Sequence, residues 1–146
     1  MTKGVVLQVA AKAVIVNKQG KVLLVREPAK NNLGSQHGLY GNPGGRIEPN
    51  EDYEVALRRE VFEETGLEIE PLYPIYVGEW YPNIKGVKHN IVAIFTVCRA
   101  KTTKITLSQE HDGYKWIYPK DVDKYRIMPP EPEVIKRYAA WQKKLK

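Results

Sequence analysis

The sequence predicts an α/β domain in which helices pack on a mixed β-sheet. Stretches with strand character recur along the chain, a well-capped helix lies between them, and a second helix follows the last strand. With 146 residues, of which 42% are hydrophobic and 27% charged, the chain is long enough for a core of its own. No repeat or linker divides it. We therefore expect one domain over residues 1–146.

The first part of the chain predicts two strands followed by a long loop. Residues 5–16 (VVLQVAAKAVIV) and 22–26 (VLLVR) have strand character and flank a turn at residues 17–21. Residues 27–46 are rich in Gly, Asn and Pro, which favours a loop. Loops of that length inside a compact domain are usually functional, so we expect this one to contribute to a site.

A helix is predicted from about Asn50 to Thr65. Asn50 is a good N-cap, the next two residues are acidic as the helix dipole prefers, and Gly66 is a good stop. Three further strands are expected at residues 68–81, 91–99 and 114–118. A second helix, with Glu early and Lys late, is expected within residues 130–146.

Composition limits the class of protein. The net charge of +6 permits a solvated basic surface, attraction to nucleic acid or a preference for small anions, but the basic residues are spread along the chain, which makes nucleic acid the weaker interpretation. Cys98 is the single cysteine, so no internal disulfide can form. The N-terminal segment lacks the pattern of a signal peptide, and no apolar run would span a bilayer. We expect a cytoplasmic protein that is not bound to a membrane.

The predicted first helix carries three carboxylates within one turn, those of Glu60, Glu63 and Glu64. They continue a face that begins apolar, with Tyr53, Ala56 and Leu57. Like charges at these spacings cost a few tenths of a kcal/mol each, and the last turn of a helix is its negative end. Clustered carboxylates at the edge of a core are what a divalent cation needs, and Mg²⁺ or Mn²⁺ suits them better than Zn²⁺. The alternative for these residues alone is a solvated acidic helix end.

The acidic turn belongs to a longer pattern. Seven positions match with fixed spacing, and two more are aliphatic, Val61 and Leu67; the seven are Gly45, Glu51, Arg59, Glu60, Glu63, Glu64 and Gly66. At ordinary residue frequencies a chance match is roughly 10⁻⁹ per starting position. With the preceding NPGG, the pattern resembles the box of the Nudix hydrolases, the MutT-like family. Residues 110–119 and the segment MPPEPEVIKRY are similar to the family's late strand and final helix.

This resemblance implies a fold and an activity. The fold would be an α/β/α sandwich with a central mixed sheet, in which the box forms loop–helix–loop. The activity would be a Mg²⁺-dependent pyrophosphohydrolase, with Mn²⁺ as the alternative metal, that cleaves the diphosphate of a nucleoside diphosphate linked to another group. The metal ligands would be Glu60, Glu63, Glu64 and the carbonyl of Gly44, and either Glu60 or Glu63 would serve as the base. Arg59 would orient a glutamate, and Glu51 would support the loop.

Residues outside the box carry weaker signals. Glu110 lies where many family members have a glutamate that binds metal or acts as base, although a solvated loop acid is the alternative. Substrate contacts are predicted for Arg26, Tyr40, Trp80 and Tyr81, against the alternative of a solvated charge or of packing. The spacing of His37, His89 and His111 supports no zinc site, so these are expected at the surface. We expect Cys98 in the core.

The box is compatible with several classes of substrate. An ADP-ribose-like compound, a (d)NTP or a dinucleoside polyphosphate would each satisfy the box. Hydrolysis of RNA 5′ ends, permitted by the basic charge, is an alternative. A second alternative is a nucleotide-sensing module without catalysis, although such proteins typically lose box glutamates and none is lost here. Family members often form homodimers, but no interface can be identified from the residues.

Overall fold

The computed structural model describes residues 4–28 and 38–144. Its elements are β1 (Val6–Val16), β2 (Val22–Arg26), β3 (Tyr40–Gly41), β4 (Gly44–Arg46), α1 (Tyr53–Thr65), β5 (Ile69–Trp80), β6 (Asn83–Ile84), β7 (Val87–Ala100), β8 (Gly113–Ile117), a 3₁₀ helix (Pro119–Lys124) and α2 (Glu131–Lys144). In this described part of the chain, no helix is both long enough and apolar enough to cross a membrane.

The sheet is mixed, as predicted. Its main path runs β3-β2-β1-β7-β5, with β4 paired to β1, β6 to β7 and β8 to β2. The central strands β1 and β7 are parallel along the whole of β1, whereas the other strand pairs are antiparallel. Because β1 also pairs with β4, Gly44 and Gly45 lie directly beside the central strand β1.

Helices cover the sheet on both faces. Leu57 and Val61 of α1 are fully buried in one core, which includes Ala11, Ile15 and Cys98. Full burial of a Leu side chain contributes about 1.5–3 kcal/mol, so this contact holds α1 firmly against β1. The second core contains the buried residues of α2 and the opposite face of the sheet, among them Val14, Phe95, Val97, Val134, Ile135 and Tyr138. The predicted α/β/α sandwich and the buried position of Cys98 are confirmed.

The first helix begins later than predicted. It starts at Tyr53 with Asp52 as N-cap, whereas Asn50 was expected to hold that position. An N-cap residue has extended backbone geometry, which Asp52 has at φ −66° and ψ 147°, while Asn50 is in the left-handed region at φ 64°. Asn tolerates that region in turns. Gly66 ends the helix as predicted.

Other boundaries also differ from the predictions. The expected loop over residues 27–46 contains β3 and β4, although its residues 29–37 lie outside the described part of the chain. The strand predicted at residues 91–99 extends over Val87–Ala100, and the 3₁₀ helix was missed. Strands of two or three residues are too short for an alternating pattern to reveal, because their pairing depends on neighbours distant in sequence.

Candidate active site

A cavity of about 1000 Å³ opens beside the C-terminal half of α1. Its wall includes the carboxylates of Glu60 and Glu64 from α1, Glu110 from the loop before β8, Lys12 from β1 and the backbone of Gly44. The structure thus brings the predicted acids of the box together with Glu110, which lies 46 positions after Glu64 in the sequence. The assignment of these residues to a cation and phosphate site stays a prediction.

Two glycines of β4 let this strand lie close to β1 and to the Glu60 carboxylate of α1. At Gly44, where φ is 144°, a Cβ would lie 2.1 Å from the carbonyl oxygen of Ala11. At Gly45 a Cβ would lie 2.3 Å from a carboxylate oxygen of Glu60. Heavy atoms cannot approach so closely, so a side chain at either position would push the backbone or Glu60 away. Both glycines are therefore required by the packing of the site.

Glu64 is the buried carboxylate of the cavity. Its side chain is 6% exposed, and its Oε1 accepts a hydrogen bond of 3.0 Å from the backbone N–H of Gly44. Burial raises the pKa of this carboxyl to about 7, although Lys12 and the Gly44 hydrogen bond act in the opposite direction. Near neutral pH, a further positive charge beside Glu64 would therefore stabilise its ionised form.

Arg59 connects the other acids of the box. Its Nε and Nη2 donate to the two carboxylate oxygens of Glu51 at 2.6 and 2.9 Å, a bidentate geometry. Its Nη1 donates to Glu60 Oε1 at 3.0 Å and to Glu63 Oε2 at 3.3 Å. The hydrogen bond from Arg59 holds the pKa of Glu51 at about 2, whereas burial raises the pKa of Glu60. Arg59 thus contacts Glu60 directly, and its assignment as the residue that orients a glutamate stays a prediction.

Glu63 occupies a different environment from its two partners. Its side chain is 57% exposed, and it lies on the outer side of α1, where it meets Arg59. The expectation that all three acids continue the buried apolar face is therefore wrong for Glu63, because the helix turns this position toward solvent. The assignment of Glu63 as a metal ligand stays a prediction.

The loop before β8 supplies Glu110 and His111 to the cavity. Glu110 is exposed, and its backbone N–H donates to Ser108 Oγ at 3.3 Å. His111 is half-buried, and its Nδ1 has no hydrogen-bond partner within the described residues. Burial lowers the pKa of His111 to about 4, with Lys12 acting in the same direction. The expectation of a surface histidine is wrong for His111, because the loop folds into the cavity wall; His37 lies outside the described residues.

The predicted substrate contacts are not among the residues that line this cavity. Arg26 pairs with Asp112 at 2.7 Å. Tyr40 and Trp80 pack against the core on the α2 side of the sheet, and Tyr81 is 71% exposed, with its hydroxyl donating to Glu79. The structure brings none of these four described residues into the cavity wall, and their assignment stays a prediction.

Two charged residues near the site were missed in the sequence. Lys12 interrupts the apolar stretch VAAKAVIV and lies between the buried residues Ala11 and Ala13, and that interruption is a signal that could have found it. Glu131, the first residue of α2, is only 1% exposed and accepts a hydrogen bond from the backbone N–H of Asn42. Burial raises its pKa, while Lys12 opposes that rise. No local pattern distinguishes Glu131 from an ordinary acid in the first turn of a helix.

The donor atoms of the cavity fit a hard divalent cation. Among residues 4–28 and 38–144, no three His, Cys, Asp or Glu side chains already form a metal cage. Mg²⁺ usually keeps several waters and binds one or two carboxylates together with substrate phosphates. The carboxylates of Glu60 and Glu64, whose burial favours a neighbouring positive charge, supply that partial set. The wall therefore suits a metal whose coordination the substrate completes.

Comparisons with known proteins identify the family. The model of the NUDIX domain matches residues 6–138. The chain is 28% identical over 129 residues to the CTP pyrophosphohydrolase of Escherichia coli K12, covering 88% of this chain and 89% of that protein. It is 29% identical over 125 residues to the nucleoside triphosphatase NudI of Klebsiella pneumoniae, covering 77% and 84%. The solved MutT protein of Methanosarcina mazei has the same fold, with a TM-score of 0.82, 22% identity and coverage of 97% and 99%.

Proposed function

The chain belongs to the NUDIX domain family and is a hydrolase of phosphoric anhydride bonds, and we propose that it cleaves nucleoside triphosphates to a nucleoside monophosphate and pyrophosphate with Mg²⁺. The observation that carries the proposal is the cavity whose wall contains Glu60, Glu64 and Glu110 together with Gly44. Its volume of about 1000 Å³ suits a ligand as large as a nucleotide.

The box residues would position the reacting groups. Arg59 donates to Glu60, whose carboxylate occupies space that a side chain at position 45 would fill, and the N–H of Gly44 donates to Glu64, so both carboxylates are positioned before substrate arrives. A bound Mg²⁺ or Mn²⁺ would neutralise phosphate charge and increase the acidity of a water molecule. These fixed carboxylates would hold that ion without the cost of reorganisation.

Glu110 is the candidate proton acceptor. It lines the same cavity as Glu60 and Glu64, but its side chain is exposed and makes no hydrogen bond or ion pair with a described residue. Glu60, in contrast, is tied to Arg59, and Glu64 is tied to the backbone. A general base needs access to the attacking water, which the loop position gives to Glu110.

The choice of triphosphates rests on the relatives. Two proteins that match most of this chain carry names that refer to nucleoside triphosphates or to CTP. An ADP-ribose-like compound or a dinucleoside polyphosphate presents the same diphosphate to the acidic wall, so the residues of the wall do not distinguish them. Contacts with the nucleoside part of the ligand must therefore determine which substrate is preferred.

The test is product analysis with Mg²⁺. Wild-type protein and Glu64→Gln would be incubated with canonical and oxidised (d)NTPs, ADP-ribose and diadenosine polyphosphates, and phosphorus NMR would identify the products. We expect monophosphate and pyrophosphate from one or more triphosphates, and loss of that turnover in Glu64→Gln. Release of orthophosphate and a nucleoside diphosphate, or turnover of ADP-ribose alone, would contradict the proposal.

A further inference from the structure

Lys12 places a positive charge in the wall of the cavity that would take the metal. It lies in the middle of β1, half-buried, and its backbone pairs with Gly44 of β4 on one side and with Phe95 of β7 on the other. The cavity wall that contains Lys12 also contains Glu60, Glu64 and Glu110. Lys12 makes no hydrogen bond or ion pair with any residue in the described ranges, and it lines the cavity beside these carboxylates.

That ammonium acts on groups from three different parts of the fold. It lowers the pKa of Glu64 on α1 and of Glu131 on α2, and it also lowers the pKa of His111 in the loop before β8. In each case burial has the larger effect, and both carboxyls keep a raised pKa. Lys12 therefore lies centrally among these groups without forming a tight pair with one of them.

A divalent cation at Glu60 and Glu64 would share this cavity with the ammonium. Two positive charges repel more strongly inside a protein than in water, because the effective dielectric constant is lower. The phosphates of a nucleotide reverse the balance, since they bring several negative charges that attract both the metal and the ammonium. The Lys12 side chain thus opposes metal binding in the nucleotide-free cavity and favours it when nucleotide phosphates are present.

We propose that Lys12 is a positioning residue that makes metal loading depend on substrate: its ammonium disfavours a divalent cation in the nucleotide-free cavity and favours the ternary complex with phosphate present. This inference rests on the proposed function for the identity of the substrate. Thermodynamic linkage then requires that metal and nucleotide each increase the affinity for the other by the same factor. Lys12 contributes to that factor through charge, so an arginine can replace it in part and a neutral residue cannot.

The test measures Mn²⁺ affinity by electron paramagnetic resonance at about pH 8.5, which is above the pKa of about 7 of Glu64 in wild type. Lys12→Met removes the charge but keeps most of the length of the side chain, and Lys12→Gln is a second neutral variant in case the first folds poorly. Lys18→Met removes the same charge from an exposed turn and serves as the matched control. Thermal unfolding would verify that each variant is folded.

Without nucleotide, we expect Lys12→Met to bind Mn²⁺ about three- to thirtyfold more tightly than wild type, while Lys18→Met is unchanged. With a nucleoside monophosphate present, which itself binds Mn²⁺ weakly, wild type should gain more Mn²⁺ affinity than Lys12→Met gains. Lys12→Arg should keep most of the wild-type gain. These results would support the coupling role.

Unchanged or weaker binding of Mn²⁺ to nucleotide-free Lys12→Met would overturn the inference. So would an equal loss of nucleotide affinity with and without Mn²⁺, because that result describes a simple phosphate contact. If wild type neither binds nor hydrolyses any nucleotide, the proposed function fails instead, and the nucleotide-free titration still decides whether Lys12 repels the metal.

Discussion

Glu64 and Glu131 are two buried glutamates whose surroundings differ in one respect. Both are less than a tenth exposed, both have a pKa raised by burial, and each accepts a hydrogen bond from a backbone N–H, that of Gly44 or Asn42. Glu64, however, faces the large cavity, whereas Glu131 is enclosed near Gly41 and Met128. Burial and a raised pKa therefore do not identify a reactive carboxylate on their own. Access to a space that a ligand can enter distinguishes the two.

The strongest test of this comparison is one substitution made at both positions. Glu64→Gln should lower kcat by roughly 10²–10³-fold, because an amide cannot supply the charge that the metal and the transition state require. Glu131→Gln should change kcat by less than about tenfold, since the amide oxygen can still accept from Asn42 and the group lies outside the cavity. Steady-state kinetics with the best triphosphate would measure both. Equal losses of kcat in the two variants would contradict this distinction between Glu64 and Glu131.

The pH dependence of stability gives the next largest effect. Because the pKa of Glu64 is about 7 in the folded protein and 4.5 is its ordinary value, the folded state holds the proton more tightly. This contribution to stability is fully present below about pH 4.5 and is lost as the pH rises through about 7, a change of about 3 kcal/mol. Urea unfolding in EDTA at pH values on both sides of this window would measure it.

Glu64→Gln serves as the control for that measurement. It lacks the titrating group, so its free energy of unfolding should fall less between the two pH values than that of wild type. Added Mg²⁺ should restore stability to wild type at the higher pH more than at the lower, because the ion binds the ionised carboxyl. Parallel pH profiles for wild type and Glu64→Gln would contradict the assignment of Glu64 as the titrating group.

Substitution of two glycines, one beside each kind of site, tests the same comparison with a smaller expected change in kcat. Gly45→Ala would place a Cβ 2.3 Å from the Glu60 carboxylate, whereas Gly41→Ala would place one 3.0 Å from the Glu131 carboxylate. We expect Gly45→Ala to lower kcat about 10- to 100-fold, because it displaces a carboxylate of the cavity. Gly41→Ala should affect mainly the midpoint of thermal unfolding. Unaltered kinetics in Gly45→Ala would mean that the position of Glu60 is unimportant.

The sequence predicted those features whose physical cause is local. The spacing of the box, the helix that ends at Gly66 and the strands over residues 5–16 and 22–26 depend on neighbouring residues, and the structure agrees with them closely. The acids Glu60 and Glu64 were predicted to lie at the edge of the core because they continue an apolar helix face.

The missed features depend on contacts between distant segments. Lys12 meets the site because β1 pairs with β4, and Glu131 is buried because α2 begins beside Asn42. His111 enters the wall because of the path of its loop. The strands β3 and β4 are defined by their partners and not by their own composition. These contacts follow from the tertiary fold, so local sequence patterns do not predict them.

The most direct test of the account is to locate the metal. Crystals of the protein grown with Mn²⁺ and a nucleoside monophosphate would reveal the ion by anomalous scattering. We expect a peak about 2.1 Å from carboxylate oxygens of Glu64 and Glu60, inside the cavity. A metal held elsewhere, with Glu64 still bonded only to the N–H of Gly44, would contradict it.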